Sequence, residues 1–536
     1  MVRKTMNQPW KQWYVEKMKS MKLPEMSVYS LLDITASKFP HHTAIIYEDN
    51  SMDYKNLKMQ VDKLAGKWSE MGFVKGERIG LMMANHPYFI ISYYAAQALG
   101  LIVVQMNPMY KPRELLQILI DSGAKYIVFD QTAANTVEET KTIYEFAVCM
   151  KTEEVQNQDG SHSLQSMIQS GKVMTEPVII NPYEDTAVIQ YTGGTTGKMK
   201  GVMLTHHNLT SNVVQSFEMY GDAMVPGEEI VLAATPLYHV YAMTSAMNLG
   251  IYIGAAILLF SKFDLQHVLT NIKKYRPTFF PGVPKMYNAF VNHPEIETYG
   301  LDCLKSCSCG SAPLPVEVIK RFELLTGAKI GEGFGLSEAS PSTHRNPPFG
   351  KRKIGSIGIP FPGTDCMIID DDNNEVPNTG VGELLIKGPQ IMKGYWNNEA
   401  ETKKALQNDW LYTGDLAVMD DEGYFYIVGR KKEMIIVGGF NIYPQEVEGV
   451  LYEHPAIKEA AVVGIPHKEK GEVVKAFIVP KDGASIDLEE IEGYCYSQLT
   501  PYKVPKVFEV RKELPRNTVG KLLKRLLVKE ELEKEK

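Results

Sequence analysis

Residues 191–202 concentrate glycines, hydroxyl groups and lysines in one short segment, directly after a strand-like run. Glycine lets several backbone N–H groups approach a single anion, threonine adds hydroxyl donors, and lysine supplies positive charge. A flexible turn rarely combines this many donors with cations. The segment therefore predicts a loop that binds phosphate, with its candidate contacts at Thr192, Gly193, Gly194, Thr195, Thr196, Gly197 and Lys200.

The spacing of this loop differs from that of the P-loop of NTPases. That motif places four residues between its glycines and a serine or threonine after its lysine. Here three residues separate Gly193 from Gly197, and Met199 follows Lys198. The sequence therefore indicates a different class of phosphate-binding protein.

Further motifs follow the loop along the chain, and together they resemble those of the adenylate-forming superfamily. In that superfamily the loop reads Y-T-[SG]-G-T-T-G-x-P-K-G-V, so Lys200 is the motif lysine and Met199 replaces the usual proline. The order and the spread of the matches over most of the chain make coincidence negligible. The later matching segments are Gly310–Leu314, Glu332–Glu338, Trp410–Asp415, Gly429–Glu433 and Pro515–Lys521.

The resemblance implies a binding site for ATP. Phe334 would stack on the adenine ring, and Ser337 would touch the α-phosphate. Asp415 and Arg430 would bond the ribose hydroxyls, for which a carboxylate is a suitable acceptor. The remaining nucleotide contacts that the resemblance implies are Gly310, Ser311, Ala312, Gly333 and Gly335.

The resemblance also implies the catalytic groups and a metal ion. Glu338, together with Thr195, would hold Mg²⁺, a cation that prefers oxygen ligands and phosphate partners. Lys521 would bridge the substrate carboxylate and the α-phosphate, stabilising the transition state as a point charge. His239 matches a family histidine near the carboxylate and the path of the thiol.

Two half-reactions at one site require a domain that moves. A lysine held against the phosphate would block the route of a thiol, so the C-terminal domain must turn between the two steps. Lys432 matches the hinge position of the family. After the rotation, Gly438, Gly439 and Phe440 would line the path of the pantetheine arm of coenzyme A.

The acid substrate is predicted from the segments that would line its pocket. Amino-acid-activating relatives place an aspartate there because a buried ammonium must be paired, but Pro236–Met243 contains no acid. The Thr244–Gly254 run is small and apolar, and Gly310–Pro313 would form the opposite wall, so the pocket suits an uncharged hydrocarbon. Residues 107–115 and 281–284 look most like bacterial long-chain fatty-acyl-CoA synthetases, while aryl and medium-chain acids stay open.

The predicted activity is that of an ATP-dependent fatty acid:CoA ligase, which forms acyl-AMP and pyrophosphate and then the acyl-CoA thioester, on medium- to long-chain fatty acids. A ligase that loads an aryl or acyl acid onto a carrier protein could share every nucleotide motif. A non-catalytic lipid-transport protein is a third hypothesis, supported by an uncharged run at 241–260 and by a basic, aromatic start. The intact Lys521, Glu338 and Asp415 argue against this third hypothesis.

Composition narrows the partners and the compartment. The 536 residues carry a net charge of −7, which gives no reason to expect nucleic acid as a partner. Six cysteines without zinc-binding pairs are typical of reduced thiols in a cytoplasmic protein, and the first two dozen residues lack the apolar core of a secretory signal. The sequence leaves a homodimer open.

Two segments raise the question of membrane contact. Trp10, Trp13, Tyr14 and Met18 fall near helical spacing among lysines, which predicts weak peripheral contact at the inner membrane surface, although such a stripe more often docks onto the protein's own body. Residues 241–260 carry no charge but are interrupted by glycines and polar side chains. They predict a buried helix followed by a strand at 255–260, not a bilayer span.

Alternating helix and strand signals up to about residue 355 predict an α/β fold. Residues 355–426 are richer in glycine, proline and short strands, which predicts a small β subdomain. The α/β pattern then restarts after Arg430. We therefore predict a large N-terminal domain over residues 1–430, made of two α/β subdomains plus the small β subdomain, and a small mobile C-terminal α/β domain over residues 431–536.

Overall fold

A computed structural model describes residues 8–153, 161–193, 199–348, 350–467, 471–516 and 521–534. The chain forms two large mixed sheets covered by helices, a small antiparallel sheet, and a further sheet near the C-terminus. This arrangement confirms the predicted α/β class with an added β subdomain.

The strands follow one another along the whole chain. They are β1 (Thr43–Tyr47), β2 (Asn50–Asp53), β3 (Arg78–Met82), β4 (Ile102–Gln105), β5 (Tyr126–Phe129), β6 (Val148–Lys151), β7 (His162–Ser163), β8 (Thr186–Gly193), β9 (Met199–Thr205), β10 (Ile230–Ala233), β11 (Ala256–Leu259), β12 (Phe279–Gly282), β13 (Ser306–Cys309), β14 (Ile330–Gly335), β15 (Ser342–Arg345), β16 (Ile359–Pro360), β17 (Asp365–Ile369), β18 (Gly382–Lys387), β19 (Gly394–Tyr395), β20 (Leu406–Gln407), β21 (Trp410–Met419), β22 (Phe425–Arg430), β23 (Ile435–Val437), β24 (Phe440–Ile442), β25 (Ile457–His467), β26 (Gly471–Pro480) and β27 (Val507–Val510).

Helices alternate with the strands. They are α1 (Glu16–Lys19), α2 (Val28–Lys38), α3 (Tyr54–Glu70), α4 (Pro87–Ala98), α5 (Pro112–Ser122), α6 (Ala134–Lys141), α7 (Leu164–Ser170), α8 (His206–Tyr220), α9 (Val240–Ala242), α10 (Leu249–Tyr252), α11 (Leu265–Tyr275), α12 (Pro284–Val291), α13 (Val316–Thr326), α14 (Glu399–Ala405), α15 (Pro444–Glu453), α16 (Leu488–Gln498) and α17 (Lys524–Lys534).

The first large sheet has eight strands in the order β19-β9-β8-β4-β3-β5-β6-β7. Its centre is parallel, because β3 pairs with β4 and β5 and β4 pairs with β8, while β9 and β19 are added antiparallel. Residues of β3, β4 and β5 are buried on both faces, as expected for parallel strands between layers of helices. The candidate phosphate loop falls in the sequence between β8 and β9, which are paired antiparallel.

The second large sheet has nine strands in the order β16-β15-β14-β13-β12-β10-β11-β1-β2. Strands β1, β10, β11, β12, β13 and β14 are parallel, and β15 and β16 extend the sheet antiparallel. Helix α8 is buried along almost its whole length, and it contacts both the segment 240–252 and β15. Because α8 also contacts β9 of the first sheet, the two large sheets share this buried helix.

Residues 241–260 lie inside the protein. Helix α9 continues into a π-helical stretch, Met243–Asn248, and then into α10, and all residues from 242 to 251 are buried. Strand β11 follows at Ala256–Leu259, which confirms the predicted buried helix and strand. In the part of the chain that the structure describes, no helix is both long and apolar enough to cross a bilayer.

The aromatic N-terminal segment docks onto the small antiparallel sheet. The Trp10 side chain is 1% exposed and packs against Phe425 with ring centroids 5.7 Å apart. Trp13 Nε1 donates a hydrogen bond of 2.8 Å to the carbonyl of Glu422, and the Tyr14 hydroxyl donates one of 2.8 Å to the carbonyl of Pro360. The segment is a 3₁₀ turn, Pro9–Trp13, followed by the short α1, so the favoured interpretation of the aromatic stripe is confirmed.

The small sheet pairs its strands antiparallel in the order β17-β18-β21-β20, with β22 added to β21. A 3₁₀ turn, Lys431–Glu433, leads from β22 to β23, where the last sheet begins. That sheet has the order β24-β23-β26-β25, with β27 parallel to β26. Its core is formed by residues from Ile435 onward, and it is separate from the large core, whose last buried residue is Phe425.

Candidate active site

The candidate phosphate loop connects two paired strands. Thr192 is paired with Lys200 and Gly193 with Met199 across the β8 and β9 ladder. The predicted contacts Gly194, Thr195, Thr196 and Gly197 lie outside the described residues. The structure therefore positions both ends of the loop, and it brings its lysine to the start of β9.

The Lys200 ammonium has two described partners. It forms an ion pair with the carboxylate of Glu401 on α14, and it lies 4.8 Å from the centroid of the Tyr395 ring on β19. Lys404 pairs with the same carboxylate at 2.7 Å, and the two lysines hold the pKa of Glu401 down to about 2. Lys200 is thus held by an anionic side chain of the same protein.

Strand β14 carries the candidate adenine and metal residues. A Cβ on Gly335 would lie 2.4 Å from the Pro341 carbonyl oxygen, and one on Gly333 would lie 2.9 Å from the His344 carbonyl oxygen, so the close approach of β15 requires glycine at both positions. Phe334 between them is half-buried. Phe334 therefore lies between two positions at which any side chain would clash with neighbouring backbone atoms.

The turn after β14 presents Ser337 and Glu338 next to β19. Glu338 Oε1 accepts a hydrogen bond of 2.8 Å from the Tyr395 hydroxyl, and the Glu338 carbonyl accepts one of 2.8 Å from the Met392 amide. Both groups lie in a 3₁₀ turn, Ser337–Ala339. The side chain and the backbone of Glu338 are therefore both fixed by the segment before α14.

Asp415 and Arg430 form a cross-strand ion pair. They are direct partners on β21 and β22, and Arg430 Nε lies 2.8 Å from Asp415 Oδ1 while Nη2 lies 3.3 Å from Oδ2. Asp415 is 3% exposed, and this burial raises the pKa of its carboxyl while Arg430 opposes the shift. The carboxylate is held rigidly by a bidentate guanidinium, unlike an acid in a surface turn.

Lys521 comes from the far end of the chain into the same group of charges. Desolvation and the nearby Arg430 lower the pKa of its ammonium, whereas Asp415, Glu433 and Glu338 act in the opposite direction. By surface area the Lys521 residue is exposed, so solvent reaches its side chain in this conformation. The C-terminal segment therefore brings its lysine to the carboxylates carried by β21 and by the turn after β14.

His239 lies at the start of α9. Its Nε2 atom is buried and has no hydrogen-bond partner among the described residues, and burial lowers the pKa of the imidazole to about 4. A neutral, unpartnered ring nitrogen inside the protein is able to donate or accept one further hydrogen bond.

The candidate pocket wall at Gly310, Ser311 and Ala312 follows β13. A Cβ on Gly310 would lie 2.8 Å from Cζ of Tyr241, so the tyrosine ring rests directly on this glycine. The hydroxyls of Tyr241 and Ser308 are hydrogen-bonded at 2.9 Å. The segments containing His239 and Gly310 therefore do face each other, with Tyr241 between them.

The predicted hinge and coenzyme A residues lie in the last part of the chain. Lys432 is in the turn that joins β22 to β23. Gly438 and Gly439 form the turn between β23 and β24, both with positive φ, and open space surrounds them, while the exposed Phe440 ring stacks on Tyr502 at 4.8 Å. In this conformation the turn has no described contact with the charges around Lys521.

Sequence reasoning missed three residues that the structure brings to these groups: Tyr395, Glu401 and Arg345. Tyr395 and Glu401 contact residues that lie 57 and 201 positions away along the chain. Arg345 is a charged residue within a short, otherwise buried strand, and that pattern is a signal that could have drawn attention to it.

The chain belongs to the family of AMP-binding enzymes, whose model matches residues 32–396, and the model of the AMP-binding enzyme C-terminal domain matches residues 446–521. Two similar proteins are named long-chain-fatty-acid–CoA ligase. The one from Bacillus subtilis (strain 168) is 42% identical, with 95% of this chain and 96% of the relative covered, and the one from Escherichia coli O6:H1 is 37% identical, with 94% of each covered. A solved structure of ATP-bound MatB from Rhodopseudomonas palustris has a TM-score of 0.86 at 28% identity and covers 94% of this chain and 99% of its own.

Proposed function

We propose that the protein is an ATP-dependent fatty acid:CoA ligase of the AMP-forming kind, acting on medium- to long-chain fatty acids. The family and the full-length similarity to long-chain-fatty-acid–CoA ligases support this activity. The structural observation that carries the proposal is the position of Lys521. This C-terminal ammonium shares one electrostatic environment with Glu338, Asp415 and Arg430.

In the first half-reaction, the carboxylate oxygen of the acid attacks the α-phosphorus of ATP, and pyrophosphate leaves. Lys521 would lie between the two anions and stabilise the charge that develops as they meet. Lys200 and the loop before it would hold the leaving phosphates. Asp415 and Arg430 would fix the ribose, and Phe334 would stack on the adenine.

Mg²⁺ would be held by Glu338 and by Thr195, together with phosphate oxygens of the nucleotide. The ion supplies charge neutralisation on the phosphates. A carboxylate whose Oε1 is already oriented by the Tyr395 hydroxyl is a suitable oxygen donor for such an ion. The protein's own contribution is to keep this carboxylate in one orientation.

In the second half-reaction, the thiol of coenzyme A attacks the acyl carbonyl of the acyl-AMP, and AMP leaves. We propose that a domain boundary at residue 430 allows the C-terminal domain, residues 431–536, to rotate about Lys432. This movement would withdraw Lys521 and bring Gly438, Gly439 and Phe440 toward the site. The exposure of these three residues in the present conformation is consistent with a second position.

A ligase that loads a carrier protein would use the same nucleotide residues, so it differs only in its acceptor. The two sequence arguments for a lipid-transport role weaken, since the 241–260 run is buried and the aromatic side chains of the start pack against the protein's own small sheet. A cytoplasmic location, weak peripheral membrane contact and a homodimer stay predictions.

The test is to separate the two half-reactions in Lys521→Ala. Acyl-AMP formation is measured as pyrophosphate exchange in the presence of palmitate. We expect its rate to fall by roughly two to three powers of ten, because one electrostatic contact in the transition state is lost. Thioester formation from synthetic palmitoyl-AMP and coenzyme A should stay largely intact. Equal loss of both steps would refute the proposed role of Lys521.

Lys529→Ala is a matched control for this experiment. Lys529 lies on α17 in the same C-terminal segment, is exposed, and pairs with Glu533 at 3.6 Å. We expect it to leave both steps unchanged. Replacing coenzyme A with a holo-carrier protein in the second step would then distinguish the two acceptors.

A further inference from the structure

Arg345 is a buried cation that has no carboxylate partner among the residues that the structure describes. The residue lies on the short strand β15 and is 4% exposed. Nη2 donates to Ser306 Oγ and to the Cys307 carbonyl, each at 3.2 Å, and Nη1 donates to the Tyr220 hydroxyl. In the described part of the chain, no carboxylate lies within 4.0 Å of the guanidinium, and its buried Nε has no hydrogen-bond partner.

The surroundings of Arg345 are polar but neutral. The guanidinium carbon lies 3.8 Å from the centroid of the Tyr220 ring, and the pair of hydroxyls at Tyr241 and Ser308 lies nearby. Burial raises the pKa of Tyr241, and Arg345 opposes that shift, so the two groups share one environment. Isolated buried charges are costly unless they are paired, and these neutral partners leave the positive charge uncompensated.

A series of contacts connects this cation to the segments predicted to line the acid pocket: Arg345 bonds Ser306 on β13, and Ser308 on the same strand bonds Tyr241, whose ring rests on Gly310. Arg345 is the cross-strand partner of Gly333, and its guanidinium covers Gly331, whose Cβ would lie 2.8 Å from Nη2. Gly331 and Gly333 are two residues apart on β14, so they lie on the same face of the strand, about 7 Å from each other. Its partner Ser306 likewise shares a face of β13 with Ser308, which leads to the wall at Gly310.

We propose that Arg345 recognises an oxygen group at the distal end of the acid substrate, with a second carboxylate as its strongest partner. The proposal rests on the proposed function and names its substrate class, namely fatty acids that are oxidised at the end remote from the reacting carboxyl. Such a substrate supplies the missing negative charge, whereas a terminal methyl group leaves Arg345 uncompensated. Tyr241 and Ser308 add neutral donors beside it.

With Arg345 at its far end, the pocket would be apolar along most of its length and polar at that end. The sequence showed the small, apolar run at 244–254 and no acid near it, which favours the middle of a hydrocarbon chain. Arg345 lies about ninety residues further along the chain, on β15, and shares the environment of Tyr241. The two features together fit a hydrocarbon chain with a polar terminus.

The experiment compares acids of equal length on the full-length wild-type protein. Coenzyme-A-dependent AMP release is measured with dodecanoate, 12-hydroxydodecanoate and dodecanedioate, and with the same three classes at six and sixteen carbons. At the best length we expect kcat/KM to rise from the unsubstituted acid to the hydroxy acid and further to the dioate. A wild-type protein that prefers the unsubstituted acid at every length would overturn the proposal.

Arg345→Met tests whether the guanidinium carries this preference. We expect the ratio of kcat/KM for dioate to that for the unsubstituted acid to fall by about tenfold to a hundredfold, the range that one hydrogen bond to a charged group supplies. Arg345→Lys should retain part of the preference. Arg321→Met, an exposed arginine on α13, is the matched control and should leave the ratio unchanged.

The outcomes separate this inference from the proposed function. If no acid of any class supports coenzyme-A-dependent AMP release, the proposed function itself fails. If unsubstituted acids react and Arg345→Met leaves the ratio unchanged, Arg345 has a structural role and the inference fails. Should Arg345→Met not fold, the wild-type order of the three acids decides the matter by itself.

Discussion

The hydroxyl of Tyr395 donates a hydrogen bond of 2.8 Å to Oε1 of Glu338. The same tyrosine ring lies 4.8 Å from the Lys200 ammonium. Tyr395 pairs with Val202 across β19 and β9, so its position is set by the sheet that also carries Lys200. One aromatic residue therefore links the candidate metal ligand to the lysine of the phosphate loop.

This relationship predicts the effect of Tyr395→Phe. The ring and its contact with Lys200 remain, while Glu338 loses the donor that orients its carboxylate. We expect pyrophosphate exchange to fall by about tenfold to a hundredfold, since hydrogen bonds to charged groups contribute about 1.5–3 kcal/mol. The concentration of Mg²⁺ needed for half-maximal exchange should rise.

Tyr426→Phe is the control for this change. Its hydroxyl donates to Asp420 at 3.3 Å, away from the candidate site, and the residue is half-buried, whereas Tyr395 is buried. If the two variants behave alike, or if Tyr395→Phe leaves the Mg²⁺ dependence unchanged, Tyr395 does not orient Glu338 for catalysis.

A second prediction concerns alkaline pH. Desolvation lowers the pKa of Lys521 below that of a free lysine, so its ammonium loses the proton at a lower pH. The cation is the active form in the first half-reaction. The rate of acyl-AMP formation should therefore be at its full value at neutral pH and decline as the pH rises through this lowered pKa. Thioester formation from synthetic acyl-AMP should lack that decline.

Lys521→Arg gives the contrast for the pH profile. A guanidinium stays charged over the whole range, so whatever adenylation activity the variant retains should not fall on the alkaline side. A decline of the same shape in the wild type and in this variant would assign the alkaline loss to another group.

A third prediction follows from the ion pair between Lys200 and Glu401. In this conformation the carboxylate holds the ammonium that we propose for the leaving phosphates, so nucleotide binding must compete with it. We expect Glu401→Gln to lower the apparent KM for ATP up to about fivefold, because partly exposed ion pairs contribute about 0–1 kcal/mol. The effect should shrink as the salt concentration rises.

Glu399→Gln is a closely matched control on the same helix. Glu399 pairs at 2.7 Å with Lys403, and both side chains are exposed. It should leave the KM for ATP unchanged. A higher KM in Glu401→Gln would show instead that Glu401 positions Lys200 for the nucleotide.

The sequence predicted the elements well because their signals are local. Four consecutive aromatic and aliphatic residues at 126–129 predict a strand, and β5 spans those residues. In the uncharged run at 241–260, the glycines argued for a buried helix instead of a bilayer span, and the aliphatic end predicted the strand that follows. Fold class and family were therefore accessible before any coordinates.

The contacts that tune the site were not accessible in this way. Glu401 meets Lys200, and Arg345 meets Tyr220, across 201 and 125 positions of the chain. No periodicity records which residues of β9 and α14, or of α8 and β15, come face to face. Such pairs depend on the order of strands and on the packing of helices between sheets.

The N-terminal stripe shows a related limit. Spacing alone could not decide between a membrane surface and the protein's own body, whereas contacts decide it. Gly423 has a φ of +86°, and a Cβ there would lie 2.4 Å from the Trp10 amide nitrogen, so the segment fits closely against the turn before β22. The side chains at 10, 13 and 14 are all engaged in that contact.

The last prediction tests this docking through Trp10→Ala. Truncating a fully buried tryptophan typically lowers the free energy of unfolding by about 3–5 kcal/mol, so we expect a fall of several degrees in Tm by calorimetry. Val15→Ala, at a residue that is 54% exposed in the same segment, should leave Tm nearly unchanged. If Trp10→Ala keeps the wild-type Tm but abolishes binding to vesicles of anionic lipid, the stripe would be a membrane-contacting face, contrary to its packing against Phe425 and Glu422.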